Sequence, residues 1–364
     1  MAVKTLSGFR DDTYEVNQNN TTLKMTATAD IVSAQFGIHV TAGADNARLE
    51  IDGEIVAGAY GVLAEGNNGR VDIGATGVVN GAYGIVLSGQ NSAAVNRGEI
   101  NAANGIGMYQ TGPGQADLVN RGSIDAILGM VAATTDGRIV NAADGQIRAT
   151  SAGITVSSAA GETFHVTNHG DIRMSSNSAA ILTSAGDDRV INDGRVEGYI
   201  YLGAGNDRFD TRGGIATSSI FGGADDDVLL TDRASYTLRE NSGDGTADTV
   251  RSTVSYVLSD NVERLYLLGS KDINGTGTLL ADTLHGNSGD NLLKGLSGAD
   301  HLYGHRGDDR LIGGTEVDHF HFSTGDDHDV ILDYVDGDDK IDVSGWNAIT
   351  SFADLLNHHA KNQG

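Results

Sequence analysis

The sequence predicts an all-β solenoid: a right-handed parallel β-helix followed by a tighter parallel β-roll. Three observations predict it. The chain holds 51 glycines and one proline in 364 residues, spread among short Val/Ile/Leu runs, which means frequent turns between short strands. A long repeat of roughly 19 to 27 residues runs from about Thr21 to Leu230, a period typical of stacked supersecondary units. A nine-residue repeat then runs from Gly277 to His321 as GTLLADTLH, GNSGDNLLK, GLSGADHLY, GHRGDDRLI and GGTEVDHFH. These landmarks divide the chain into an N-terminal segment (1–20), the β-helix (21–230), a bridging β-segment (231–276) and the roll with its C-terminal module (277–364).

Two landmarks define the helix. The first is N-x-G-x-[IV], at Asn96–Ile100, Asn120–Ile124, Asn168–Ile172 and Asn192–Val196, and at Asn141–Ile147 with two residues inserted. The second is glycine followed by alternating aliphatics, at Gly37, Gly61, Gly84 and Gly153. Strands of three to five residues recurring at this period stack in parallel, with Ala, Val and Ile filling a narrow lumen. A left-handed helix needs a strict hexapeptide period, which is absent. The recurring Asn is read as a corner ladder of side-chain amides; a binding comb is the alternative. Phe36, Tyr60 and Tyr83 precede the second-landmark glycine in three successive coils. Packed ring on ring they stabilise the stack; exposed, they would suit sugar stacking.

The roll follows from its own unit. Glycine leads each nonapeptide, the sixth position is Asp282, Asn291, Asp300, Asp309 and Asp318, and the eighth is Leu284, Leu293, Leu302, Leu311 and Phe320. The turn glycines permit positive φ and close backbone approach, and the apolar eighth residue points inward. Two units make one turn, so unit i stacks on unit i+2. That register pairs Asp282 with Asp300, Asp300 with Asp318, and Asn291 with Asp309; Asp300 is then the central member of three, and Asp309 pairs only with Asn291. Stacked carboxylates beside turn carbonyls make an all-oxygen cage of the kind calcium prefers. Leu280 and Glu316 stand where the fourth-position glycine belongs.

This nonapeptide resembles the calcium-binding repeat of RTX exoproteins. The resemblance implies Ca2+ held at Asp282, Asn291, Asp300, Asp309 and Asp318 and at the turn glycines Gly286, Gly289, Gly295, Gly298, Gly304, Gly307 and Gly313. Three turns at the end of the helix resemble the same unit, and add Asp188, Gly205, Asp207, Gly223 and Asp227 as metal ligands. Asp188, Asp207 and Asp227 lie 19 and 20 residues apart, about one coil each, which predicts a second column. Residues 329–344, DVILDYVDGDDKIDVS, resemble the C-terminal module of serralysin-type proteases, a likeness that runs from Asp282 to Leu356 overall. That family's zinc motif H-E-x-x-H occurs nowhere in the chain, so the protease reading fails.

Charge and composition bound the partners. A formal charge of −25 argues against nucleic acid or an anionic membrane. Between Asp282 and Asp342 fifteen acids face four Lys/Arg, a density compatible with folding once a cation neutralises it. There is no cysteine, hence no disulfide frame or thiolate site. No stretch has the length of a membrane span, and MAVKTLSGFRDDTYEV lacks the apolar core of a cleaved signal. The family resemblance implies type I secretion through an uncleaved C-terminal signal. The polar run 357–364 reads as the end of a product whose export signal has been removed.

The expected function is therefore a secreted, extracellular calcium-binding solenoid with a non-enzymatic cell-surface or matrix-associated role. Extracellular polysaccharide or a cell surface is the expected partner. The alternative is a carbohydrate-active β-helix enzyme (polysaccharide lyase, hydrolase or uronan epimerase), for which His165, His169, Asp171 and Arg173 are the nearest local cluster. His301, His305, His319, His321 and His328 have no fixed metal-ligand spacing and read as solvated flanks of the calcium turns.

Overall fold

A computed structural model describes residues 2–175 and 177–346. The run 357–364 and the end of the serralysin-like stretch at Leu356 lie outside the described residues. Among those described there is no helix; short strands pair in parallel with strands one coil away. The chain divides into two compact units, Met1–Ala224 and Asp225–Gly364.

The first unit begins earlier than the sequence repeat. Ala2–Leu6 pairs with Thr21–Met25, and Tyr14–Val16 with Phe36–Val40, so the segment 1–20 is itself a coil. Its apolar residues are too few to mark a period, but its backbone completes the same ladder. Each later coil adds a strand to either wall of the lumen. On one wall Leu23, Leu49, Val71, Ala94, Leu118, Ile139, Val166, Val190 and Phe209 sit in register. On the other run Ile31, Ile55, Val79, Ile100, Ile124, Ile147, Ile172 and Val196. All of these are buried, each Val, Leu, Ile or Phe contributing about 1.5–3 kcal/mol on burial. Successive strand residues face opposite ways, so each column excludes the polar residues that alternate with it.

Two ladders of side chains run along this unit. Asn96, Asn120, Asn141, Asn168 and Asn192 are fully buried, and the Nδ2 of each of the first four donates to the Oδ1 of the next at 2.9, 2.9, 2.8 and 2.7 Å. Burial at the corner makes them structural amides rather than a binding comb. Phe36, Tyr60 and Tyr83 stack with centroids 5.4 and 4.9 Å apart. The glycine after each ring is required: a Cβ on Gly37 or Gly61 would lie 2.6 or 2.7 Å from the next coil's carbonyl oxygen.

In the second unit the segment 231–276 consists of further coils. Thr249–Ser252 pairs with Val228–Thr231 and with Arg264–Leu267, which pairs with Thr283–His285. The inward column is Leu229, Val250, Leu265, Leu284, Leu302 and Phe320, each fully buried. The opposite wall pairs Leu292–Ser297 with Arg310–Thr315, and the latter with Val330–Ile331. Lys340–Gly345 lies against His319–Ser323, so the serralysin-like stretch adds the last described strands of the roll.

Candidate metal centre

The sixth-position acids of the roll turn inward. Asp282, Asp300, Asp309 and Asp318 are at most 2 % exposed. One oxygen of each of the last three accepts a backbone N–H from the coil before it: Asp300 from Asp282 at 2.8 Å, Asp318 from Asp300 at 3.0 Å, Asp309 from Asn291 at 2.7 Å. Both columns continue further than the nonapeptides predict. Asp339 accepts from Asp318 at 3.1 Å and Asp329 from Asp309 at 3.0 Å. Asp309 is therefore flanked on both sides, and the expectation that it pairs only with Asn291 is corrected: Asp329 lies 20 residues on, outside the 18-residue register.

The second oxygen is what distinguishes these acids. Asp282 Oδ1 and the Oδ2 atoms of Asp300, Asp309, Asp318 and Asp329 are buried and accept no hydrogen bond. A buried, unpaired carboxylate oxygen costs several kcal/mol unless a proton or cation meets it. Burial accordingly pushes Asp282 up to about 6, Asp309 and Asp329 to about 7 and Asp300 to about 8, with neighbouring acids adding to the rise. Asp318 is raised for the same reasons. The leading glycine of each unit leaves the room beside the carboxylate: a Cβ on Gly304 would lie 2.5 Å from Asp309 Oδ2, and Gly295 and Gly313 stand likewise against Asp300 and Asp318.

Asn291 is the exception. Its Oδ1 accepts from Asn287 N at 2.7 Å, and its Nδ2 donates to Ile273 O at 2.6 Å and to Asn287 Oδ1 at 3.1 Å. Asn287 Oδ1 also accepts from Gly289 N, and Gly286 packs on the Asn291 oxygen. An amide both donates and accepts, so this position is satisfied from within.

In the last three units the turn backbone is left-handed at two places each. The fourth position is left-handed at Gly298 (φ 109°) and Gly307 (115°), and Glu316 adopts the same region at 75°. The second position is left-handed at Leu296 (92°), His305 (68°) and Gly314 (118°). Such φ values at Leu and His are unfavourable and persist only where the surroundings impose them. Glu316 compensates by accepting from Gly298 N at 2.8 Å.

The two edges of the roll differ. On the Asn291 edge, fifth-position acids form an outer column: Asp290 N donates to Asp272 Oδ1 at 3.0 Å and Asp308 N to Asp290 Oδ1 at 2.9 Å. On the Asp300 edge the same position holds Ala281, Ala299 and Val317.

The acids outside the nonapeptides divide between the units. Asp188 and Asp207 are buried in the first, with Asp188 N donating to Asp207 Oδ1 at 2.6 Å. Asp188 is satisfied by Phe164 N and Ser158 Oγ. Gly205 and Gly223 are left-handed, as those turns require. Asp227 belongs to the second unit, where one of its carboxylate oxygens, one of Glu240 and one of Asp248 lie within 4.8 Å of one another. Asp248 Oδ1 accepts from Asp227 N at 2.7 Å, its Oδ2 is unpaired, and burial raises it to about 6. The sequence held a signal for Asp248: in Gly243–Val250 the acid stands two residues before an apolar one, as in the roll.

The histidines are not isolated solvated residues. Tyr266, His285, Tyr303 and His321 stack at 4.3, 4.3 and 4.1 Å, and His301 lies on His319 at 4.7 Å. The seventh and ninth positions of each unit face the same way, so the 18-residue period sets ring upon ring. Burial pushes His285 down to about 4. His305 and His328 are exposed, His328 at 94 % of its side chain.

The residues of the carbohydrate cluster have partners of their own. His169 pairs with Asp193 at 2.5 Å and Arg173 with Asp171 at 2.6 Å, while His165 opens onto a shallow groove lined by Asp117, Asp136, Arg138 and Glu162.

Fold and site together define a parallel β-solenoid with stacked inward carboxylates. Within it, overlapping spans 276–311, 285–319 and 295–331 match the family described as RTX calcium-binding nonapeptide repeat (4 copies). No curated protein and no solved structure matches the chain.

Proposed function

We propose that the chain is an extracellular calcium-binding protein whose roll requires calcium to reach its folded form after type I secretion. The observation that carries this is the set of four buried acids, Asp282, Asp300, Asp309 and Asp318, and the half-buried Asp329, each with one buried, unpartnered oxygen. Calcium takes oxygen ligands only, accepts six to eight of them, and binds extracellular modules at about 10⁻⁴–10⁻³ M. Asp300, Asp309 and Asp318, with leading glycines Gly295, Gly304 and Gly313, are the ligands with most support, joined by Asp282 and Asp329. The matched repeat family points the same way. The role is non-enzymatic, at a cell surface or in a matrix, because the ladders of the first unit consume their own polar groups.

Calcium titration of the full chain tests this. Circular dichroism should gain β-signal and calorimetry should register several ions; an unchanged spectrum up to millimolar calcium would sink the proposal. The carbohydrate-active reading draws on the groove around His165. Its Arg138 is engaged by Asp117 at 2.8 Å, which leaves little positive charge for a uronate. Cleavage of alginate or pectate that is lost in His165→Ala would establish it.

A further inference from the structure

The outward face of the roll carries a constellation that calcium does not explain. His319 and His321 stand two apart on the strand His319–Ser323, so both project from the same face. The neighbouring parallel strand His301–Tyr303 places His301 directly beside His319. Two residues at i and i+2 of one strand and a third across from the first set three imidazoles around one point. One nitrogen of each lies within 4.8 Å of the others, and His301 Nδ1 is 2.8 Å from His321 Nε2. A tetrahedral ion about 2.0–2.1 Å from each nitrogen holds its ligands roughly 3.4 Å apart, so the rings draw together and turn out of their present stack to close on it.

A plain ring stack would account for the packing but not for what lies behind it. Asp342 Oδ2 sits 3.0 Å from His321 Nδ1. A carboxylate there accepts the hydrogen bond of Nδ1–H, which leaves Nε2 as a lone pair facing His301 Nδ1. This carboxylate–imidazole arrangement orients metal-ligating histidines and raises their basicity. All three rings are half-buried, close enough to the surface for solvent to supply a fourth ligand.

We propose that His301, His319 and His321 form a metal site for a divalent transition ion of the zinc type, with Asp342 as the positioning residue. Imidazole nitrogen suits zinc, copper and nickel, whereas calcium takes oxygen; the two kinds of site therefore fill independently. An ion there joins two successive coils through side chains on the outside of the roll. On binding, His301 shifts its proton from Nδ1 to Nε2, and the hydrogen bond to His321 is exchanged for two metal–nitrogen bonds.

The experiment is zinc competition against a chromophoric chelator, using the full chain in saturating calcium, with circular dichroism verifying each variant. Wild type should hold one zinc that His301→Asn and His319→Asn each weaken at least 100-fold. Asp342→Asn should weaken it about 10–100-fold. His285→Asn should leave it unchanged, although His285 and His305 form another imidazole pair at 3.1 Å. Zinc retained by His319→Asn, or lost only in a His358→Asn/His359→Asn variant, overturns the proposal. Cobalt added to wild type gives a reading that needs no variant: intense visible bands of a tetrahedral nitrogen-bound ion are expected, and the pale spectrum of the hydrated ion overturns the site.

Discussion

The Asn ladder of the first unit and the Asp columns of the second solve one problem with different atoms. Both place a short polar side chain at a buried corner and hand a hydrogen bond from coil to coil. Asn141 accepts from Asn120 and donates to Asn168, so the amide closes its own account. Asp300 accepts from Asp282, has no donor to offer, and keeps one oxygen unpaired. One atom, nitrogen in place of oxygen, separates a corner complete in itself from one that needs a cation. Asn291 makes the comparison within the roll: at the same corner, the amide is satisfied by Asn287 and Ile273.

The largest test is removal of calcium. In chelator, hydrogen exchange over residues 277–342 should lose its protection, while 21–162 stays protected. Equal exchange in both would mean that the two regions fold as one cooperative body. The next test exchanges the atoms. Asn141→Asp removes the donor to Asn168 and buries a charge among acceptors, which should cost the first unit about 3–5 kcal/mol. A urea midpoint unchanged by this substitution would contradict the ladder's role.

A third test counts ions. Asp300 has a carboxylate above and below it, Asp282 and Asp318, whereas Asp309 has Asp329 on one side and the neutral Asn291 on the other. Calorimetry should find two calcium ions lost in Asp300→Ala and one in Asp309→Ala. As many lost from Asp309→Ala would break the stacking scheme.

The smallest test is pH. Asp282, Asp300, Asp309 and Asp329 have folded-state values between about 6 and 8, above the ordinary 3.8. The folded roll thus holds more protons than the unfolded chain, and its stability falls as pH rises from about 4 to 8. His285 pulls the other way, since its lowered value costs stability as pH falls from about 6.5 to 4. Four acids outweigh one imidazole. In chelator, the protection of residues 277–342 against hydrogen exchange should be partly regained from pH 8 to pH 5, whereas in calcium the melting temperature of the roll should fall as protons compete with the ion. A flat chelator profile would contradict the buried carboxylates.

The sequence made some of this legible because the period is strict where it matters. The 18-residue spacing of Asp282, Asp300 and Asp318 and the recurring Asn of N-x-G-x-[IV] translate directly into stacked neighbours. Asp329 and Asp339 escaped because the coils there are 20 and 21 residues long, and a count of nine does not reach them. Burial of the acids was also invisible: a Gly/Asp turn looks like a solvated loop until the leading glycine is seen to admit a carboxylate. The histidines were legible in principle, since His301 and His319 are 18 apart. Their convergence depends on the side chains at positions seven and nine sharing a face, which register alone reveals.

The direction of the Asn ladder carries a consequence for how such a chain grows. Every amide passes its hydrogen bond the same way, from Asn96 toward Asn192. A duplicated coil with Asn at that corner presents the same acceptor to its predecessor and the same donor to its successor. It can enter anywhere in the middle without leaving a group unsatisfied, so the first unit lengthens freely. A duplicated coil in the roll brings another unpaired oxygen, and each added turn demands a share of a further ion. Gene duplication can extend one region at no electrostatic cost, and the other only as far as the surrounding calcium allows.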